Sequence, residues 1–225
     1  MRLNDDLSER VMLRAGELDW VPSPVAGVDR RMLFRLGGEK ARATSIVRYA
    51  PDSHFTGHRH PGGEEFVVLD GVFQDEHGSY PAGSYVRNPP GSGHSPGTDP
   101  GCVIFVKLWQ FHRDDRTRVV RLPGEGERAD LPGGGHCTLL YEGHDEQVRF
   151  EDWPAGGTRM LPNPQGLELF LLDGAIQWEG CTLDRHAWLR LPAGERFQAQ
   201  AAGAGARVWI KEGPLLHAQV CDFAA

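Results

Sequence analysis

The sequence repeats itself at long range. Glu64-Glu65-Phe66-Val67-Val68-Leu69-Asp70-Gly71 has a counterpart in Leu167-Glu168-Leu169-Phe170-Leu171-Leu172-Asp173-Gly174, 103 residues further on. The same offset pairs Pro51 with Pro154, Pro61 with Pro164, Gly63 with Gly166, Gln74 with Gln177, Glu76 with Glu179, Arg87 with Arg190, Pro89 with Pro192 and Gly91 with Gly194. One inserted residue later, Val103-Ile104-Phe105-Val106-Lys107 faces Arg207-Val208-Trp209-Ile210-Lys211. Frequent glycines alone would not keep Gln, Glu and Arg in register, so the chain is a tandem duplication. Across 225 residues, each half is long enough to bury its own core.

The repeated unit reads as short strands. Glycine (29) and proline (16) recur between apolar runs, the punctuation of turns and strands rather than helices. Ala43–Tyr49 is rich in β-formers and stops at Pro51. Phe66–Leu69 is closed by Asp70-Gly71, which predicts a hairpin. Ser84–Arg87 runs into Asn88-Pro89-Pro90-Gly91, Cys102–Trp109 is the longest strand candidate, and Asp19–Pro22 adds an edge strand. The expectation is an all-β chain of two jelly-roll barrels, residues 1–122 and 123–225, divided near Arg121–Gly126 where the apolar pattern lapses.

Composition narrows the partners. The formal charge of −7 is spread along the chain with no basic stripe, which argues against nucleic acid. The sign-alternating run Phe111–Arg118 reads as a solvated linker start. The first residues lack a secretory signal, and no stretch approaches the roughly 18 apolar residues of a membrane span. Cys102, Cys137, Cys181 and Cys221 form no Cys-x-x-Cys pair, which fits reduced thiols and a cytoplasmic location. The partner expected is a small molecule, with the oligomeric state open and a homodimer one option.

Chemistry concentrates in the first copy. His58-Arg59-His60 on a strand puts both imidazoles on one face. Pro61-Gly62-Gly63 reads as a tight turn that returns Glu64 to that face, and His94 follows the loop Pro89–Gly93. Three imidazoles and a carboxylate suit a divalent transition metal such as iron, manganese, nickel or zinc. Glu65 rivals Glu64, but its position is reproduced by Glu168 in a copy with no site, which marks it as structural. His54 is near enough in sequence to support the site, though it reads as an exposed loop residue. Phe66, Val68 and Phe105 are core positions able to wall the pocket. One face of the Cys102–Trp109 strand lines the barrel, with the choice of face open.

These segments resemble the cupin superfamily. His58, His60, Glu64 and Gly71 fill its first signature, and Gly83, Pro89, Gly91 and His94 fill its second. Asp52 and Thr98 depart from it at positions that bind no metal. The segments His58–Phe66 and Tyr85–Ser92 look most like ChrR-like cupins, a group that includes the sensing domain of an anti-sigma factor. The resemblance implies a metal on His58, His60, Glu64 and His94. It also implies either of two roles: a non-haem iron dioxygenase acting on a small oxygenated molecule, or a metal-dependent module sensing a small molecule or oxidative stress. Direct inhibition of a sigma factor is not expected, because the chain lacks the Cys-x-x-Cys of the zinc domain that performs it.

The second copy carries none of these ligands. Leu161, Asn163, Leu167 and Phe197 stand where His58, His60, Glu64 and His94 stand in the first. A metal-free, degenerate C-terminal barrel is expected.

Overall fold

The runs that the sequence marks as β-forming are strands in the computed structural model, which describes residues 1–38 and 40–223. Among the described residues the helical content is one 3-10 turn, Ala15–Glu17, and no helix is long and apolar enough to cross a membrane. Two compact units emerge. The first has the strand order Arg2–Leu3, Val28–Gly37, Ala41–Tyr49, Cys102–Leu108, Glu64–Asp75, Tyr85–Asn88, Val119–Arg121. The second has the order Glu127–Asp130, His136–Gly143, Glu146–Trp153, Phe197–Glu212, Gly166–Trp178, Ala187–Pro192, Val11–Arg14. Neighbours along both paths pair antiparallel. The four strands from Ala41–Tyr49 to Tyr85–Asn88 match those from Glu146–Trp153 to Ala187–Pro192 under the 103-residue offset. The duplication is therefore visible as two tandem jelly rolls.

The units do not follow the simple split at residue 122. The first comprises Met1–Asp5, Asp19–Glu125 and the chain from Leu216 onward; the second comprises Asp6–Leu18 and Gly126–Leu215. Backbone pairing explains both crossings. Val11–Arg14 hydrogen-bonds along Ala187–Pro192, from Val11 opposite Arg190 to Arg14 opposite Ala187, and so covers what would be an open sheet edge. The C-terminal segment is held in the first unit by a bridge between His112 and Val220, by Arg113 N–H donating to the Gln219 carbonyl, and by the Phe223 ring 5.3 Å from that of Trp109. The edge strand expected near Trp20 is the short Val21–Pro22, paired to Arg30 and Asp29.

Two local expectations are corrected. The strand begun at Glu64 does not turn at Asp70-Gly71 but continues to Asp75, and at 12 residues it is longer than the seven-residue Cys102–Leu108. Gly71 serves a different purpose: at φ 69° it lets the backbone pass so close to Gly101 that a Cβ would run into its carbonyl. The hairpin lies further on, where Asp75 pairs with Gly78. The inner face of the first barrel carries Val47, Phe66, Val68, Phe73, Val86, Cys102, Ile104 and Val106. Phe105 belongs to the opposite face, because side chains alternate along Cys102–Leu108 and the even-numbered ones point inward. Lys107, of the same parity as Phe105, donates to Thr44 Oγ1 at 3.2 Å and to Gln110 Oε1 at 3.0 Å.

Candidate metal centre

Four strands bring the site together. His58–His60 pairs antiparallel with Ser92–His94, with His58 directly opposite His94 and His60 opposite Ser92. After His60 the chain turns at once, Gly63 N–H donating to the His60 carbonyl at 3.0 Å. Gly63 holds φ +79°, and a Cβ there would strike the Phe111 ring, so the turn needs glycine. The turn delivers Glu64 to the start of its strand, opposite Asn88.

The three imidazoles face one another. Ring centroids lie 4.8 Å (His58–His60), 5.4 Å (His58–His94) and 4.9 Å (His60–His94) apart, each pair edge-on. One nitrogen from each falls within 4.8 Å of the others, so these three histidines could hold a metal ion. His60 Nε2 and His94 Nε2 are 3.0 Å apart, close to the spacing of neighbouring donors on one ion with bonds of about 2.1 Å. Glu64 Oε2 lies 3.5 Å from both of those nitrogens. His60, Glu64 and His94 are buried, whereas His58 is exposed, which leaves the cluster approachable from the His58 side.

A supporting shell orients these groups. Asp75 Oδ2 sits 3.3 Å from His94 Nδ1, and its Oδ1 accepts from His77 N–H, Gly78 N–H and the Tyr80 hydroxyl. With Nδ1–H donated to Asp75, His94 presents the Nε2 lone pair to the cluster. Asn88 Nδ2 donates to Glu64 Oε2 at 3.2 Å, and His58 Nδ1 lies 3.3 Å from the Thr56 carbonyl. Burial pushes the His60 pKa down, the neighbouring imidazoles adding to it against the pull of Glu64. Burial also opposes charge on His94, but the hydrogen bond to Asp75 and the charge of Glu64 outweigh it and raise its pKa. At Asp75 burial is outweighed by the donors around it, led by His94, and its pKa falls.

Glu65 points away. Its Oε2 accepts from the Tyr85 hydroxyl at 2.8 Å and from Arg87 Nη1 at 3.0 Å, and Arg87 in turn donates to Asp115 at 2.7 Å. The second copy keeps the pairing and one donation to the glutamate: Glu168 lies opposite Arg190 and accepts from Trp188 Nε1 at 2.8 Å. His54 stands apart from the site, exposed and 3.4 Å from Asp99. Asp75 and Asn88 were not legible as site residues. Asp75 sits beyond the glycine taken for the hairpin, and only the Asp75-Glu76-His77-Gly78 turn signal could have drawn attention to it.

In the second unit the register of the site survives without its chemistry. Leu161 lies directly opposite Phe197, as His58 lies opposite His94. Leu161, Leu167 and Phe197 are part of the apolar core, and Asn163 Nδ2 donates to the carbonyls of Pro192 and Glu195.

Two antiparallel jelly rolls in tandem, with a His-x-His strand, a following carboxylate and a distal histidine in the first, define a bicupin. Residues 8–112 match the ChrR Cupin-like domain. No curated protein matches the sequence. Solved structures share the fold at low identity. A candidate dioxygenase from Nostoc punctiforme is 12% identical, with 97% of this chain and 88% of that one covered and a TM-score of 0.71. The pirin YhhW of Escherichia coli, solved in complex with nickel(II), is 12% identical over 92% of this chain and 100% of its own, with a TM-score of 0.67. The AerE protein of Microcystis aeruginosa is 12% identical over 91% and 97%, with a TM-score of 0.60.

Proposed function

We propose that the chain is a metal-dependent bicupin whose first barrel acts as a non-haem iron dioxygenase on a small oxygenated molecule. The observation that carries this reading is the convergence of His58, His60 and His94 with Glu64 Oε2, three nitrogens and one oxygen, on a cluster open at His58. In this reading His58, His60, Glu64 and His94 hold the ion. Iron prefers six ligands, so such a centre has room for a substrate oxygen and dioxygen together. The chain's own contribution is positional. Asp75 fixes the tautomer of His94, Asn88 holds Glu64, and the Phe66 and Phe73 rings, with Phe73 5.7 Å from the His94 ring, keep water from the inner side. A dioxygenase-like neighbour and a nickel-binding one on the same fold agree with a metal role.

The family match favours one alternative, a metal-dependent sensing module, since residues 8–112 fall in the ChrR Cupin-like group. The deciding experiment is metal analysis of protein purified from its own host, followed by oxygen-uptake assays. The iron(II) form should consume dioxygen with a diketone, thiol or catechol-like substrate, and the zinc form should not. An iron-loaded protein that binds such a molecule tightly without oxygen uptake would overturn the enzyme reading in favour of sensing.

A further inference from the structure

A second site is marked by two arginines on the first unit's Val28–Gly37 strand. Strand residues two apart share a face, but Arg30, Met32 and Arg35 are spaced two and then three. A bulge reconciles them: Met32 pairs with Ser45 and Phe34 with Thr44, so Leu33 is the extra residue and Arg35 falls opposite Ala43. Arg30 opposite Val47, Met32 opposite Ser45 and Arg35 opposite Ala43 therefore project from one face. They line a cleft of about 500 Å³ whose other walls include Val21, Pro22 and Val25. That volume lies within the range of small-molecule sites.

The cleft is apolar and positively charged at once. Val21 and Val25 are 45% and 50% exposed, an unusual state for two neighbouring branched side chains. Arg35 is 9% exposed, yet its contact is neutral, Nη2 donating to the Gly38 carbonyl. Arg30 Nη2 donates to the Ser23 hydroxyl at 2.8 Å. Among the described residues neither guanidinium has a carboxylate partner, and none of those lining the cleft is acidic. Burial, and then the charge of Arg30, depress the Arg35 pKa, as expected of two cations sharing a site. A buried cation without a counter-ion is costly, so the site favours an anion.

We propose that this cleft binds a small organic oxyanion with an apolar body, its headgroup between Arg30 and Arg35 and its hydrocarbon against Val21, Pro22, Val25 and Met32. None of the metal-cluster residues lines this cleft, although Arg30 and Met32 project from the barrel face that also carries Val47. Along the sheet, three strand spacings lie between Arg35 and Glu64, through Ala43 and Leu108.

The test uses the full-length, metal-stripped protein, so that a bound ion cannot hold the headgroup. Octanoate, octyl phosphate and uncharged octanol are titrated by calorimetry. At least one of the two anions should bind about tenfold or more tightly than octanol, and Arg30→Gln should lose that advantage while the melting temperature is kept. Arg35→Gln should act in the same direction, and where it fails to fold the Arg30→Gln result decides. Equal binding of octanol and the anions, no binding of either anion, or anion affinity unchanged in Arg30→Gln would each overturn the proposal.

Discussion

The two barrels differ at six linked positions and agree at two of three others. His58, His60, Glu64, Asp75, Asn88 and His94 of the first become Leu161, Asn163, Leu167, Trp178, Leu191 and Phe197 of the second. Five of those six replacements are apolar and belong to one buried cluster. The partners of the cluster, Asp75 and Asn88, are thus absent wherever the ligands are. By contrast Glu65, Tyr85 and Arg87 correspond to Glu168, Trp188 and Arg190, with the same cross-strand pairing and the same donation to the glutamate. The difference teaches that ligands and supports behave as one module. A buried carboxylate or imidazole needs a partner, and once the cluster is gone its neighbours are better replaced by hydrocarbon. The outer-face glutamate, with a donor from the neighbouring strand, serves the fold in both copies.

The sharpest way to break this comparison is to remove the ligands. Replacing His58 and His60 together by alanine should bring metal from stoichiometric to background, read by elemental analysis of the purified protein; full retention would remove the assignment. The opposite barrel should respond in stability alone. Phe197→Ala, at the position of His94, should lower unfolding free energy by about 3–5 kcal/mol in denaturant titration, with metal content unchanged. Asp75→Asn sharpens the link between ligand and support: competition against a chelator should show metal affinity about 10–100-fold weaker. The smallest effect separates the adjacent glutamates. Glu65→Gln should keep its metal and lose about 1–3 kcal/mol of stability, since Arg87 still has Asp115. Glu64→Gln should weaken the metal instead, and the reverse outcome would exchange their roles.

Much of this was legible in the sequence, and the gaps have physical causes. The offset of 103 residues announced two like barrels, and strand parity at His58-Arg59-His60 put two imidazoles on one face. The turn at Pro61–Gly63 carried its own local signal. Asp75 was hidden because Asp70-Gly71 imitates a hairpin while the chain there only bends past Gly101. The face of Phe105 was open because an apolar strand between two layers shows no alternation. The pairing of Val11–Arg14 with Ala187–Pro192 had no local signature, as its partners are nearly a whole chain apart.

That last pairing has a consequence for how the molecule comes into being. At about 5–20 residues per second, a ribosome would release Val11 roughly ten to forty seconds before Arg190. Through that interval the early segment waits, and the edge of Ala187–Pro192 is uncovered until it docks. The first unit waits as well, because its closing segment begins only at Leu216. Neither barrel can be finished before its late segment has been synthesised. Completion is slowed by the large loops that must close. Severing the chain near residue 122 would yield two fragments, each missing a segment carried by the other.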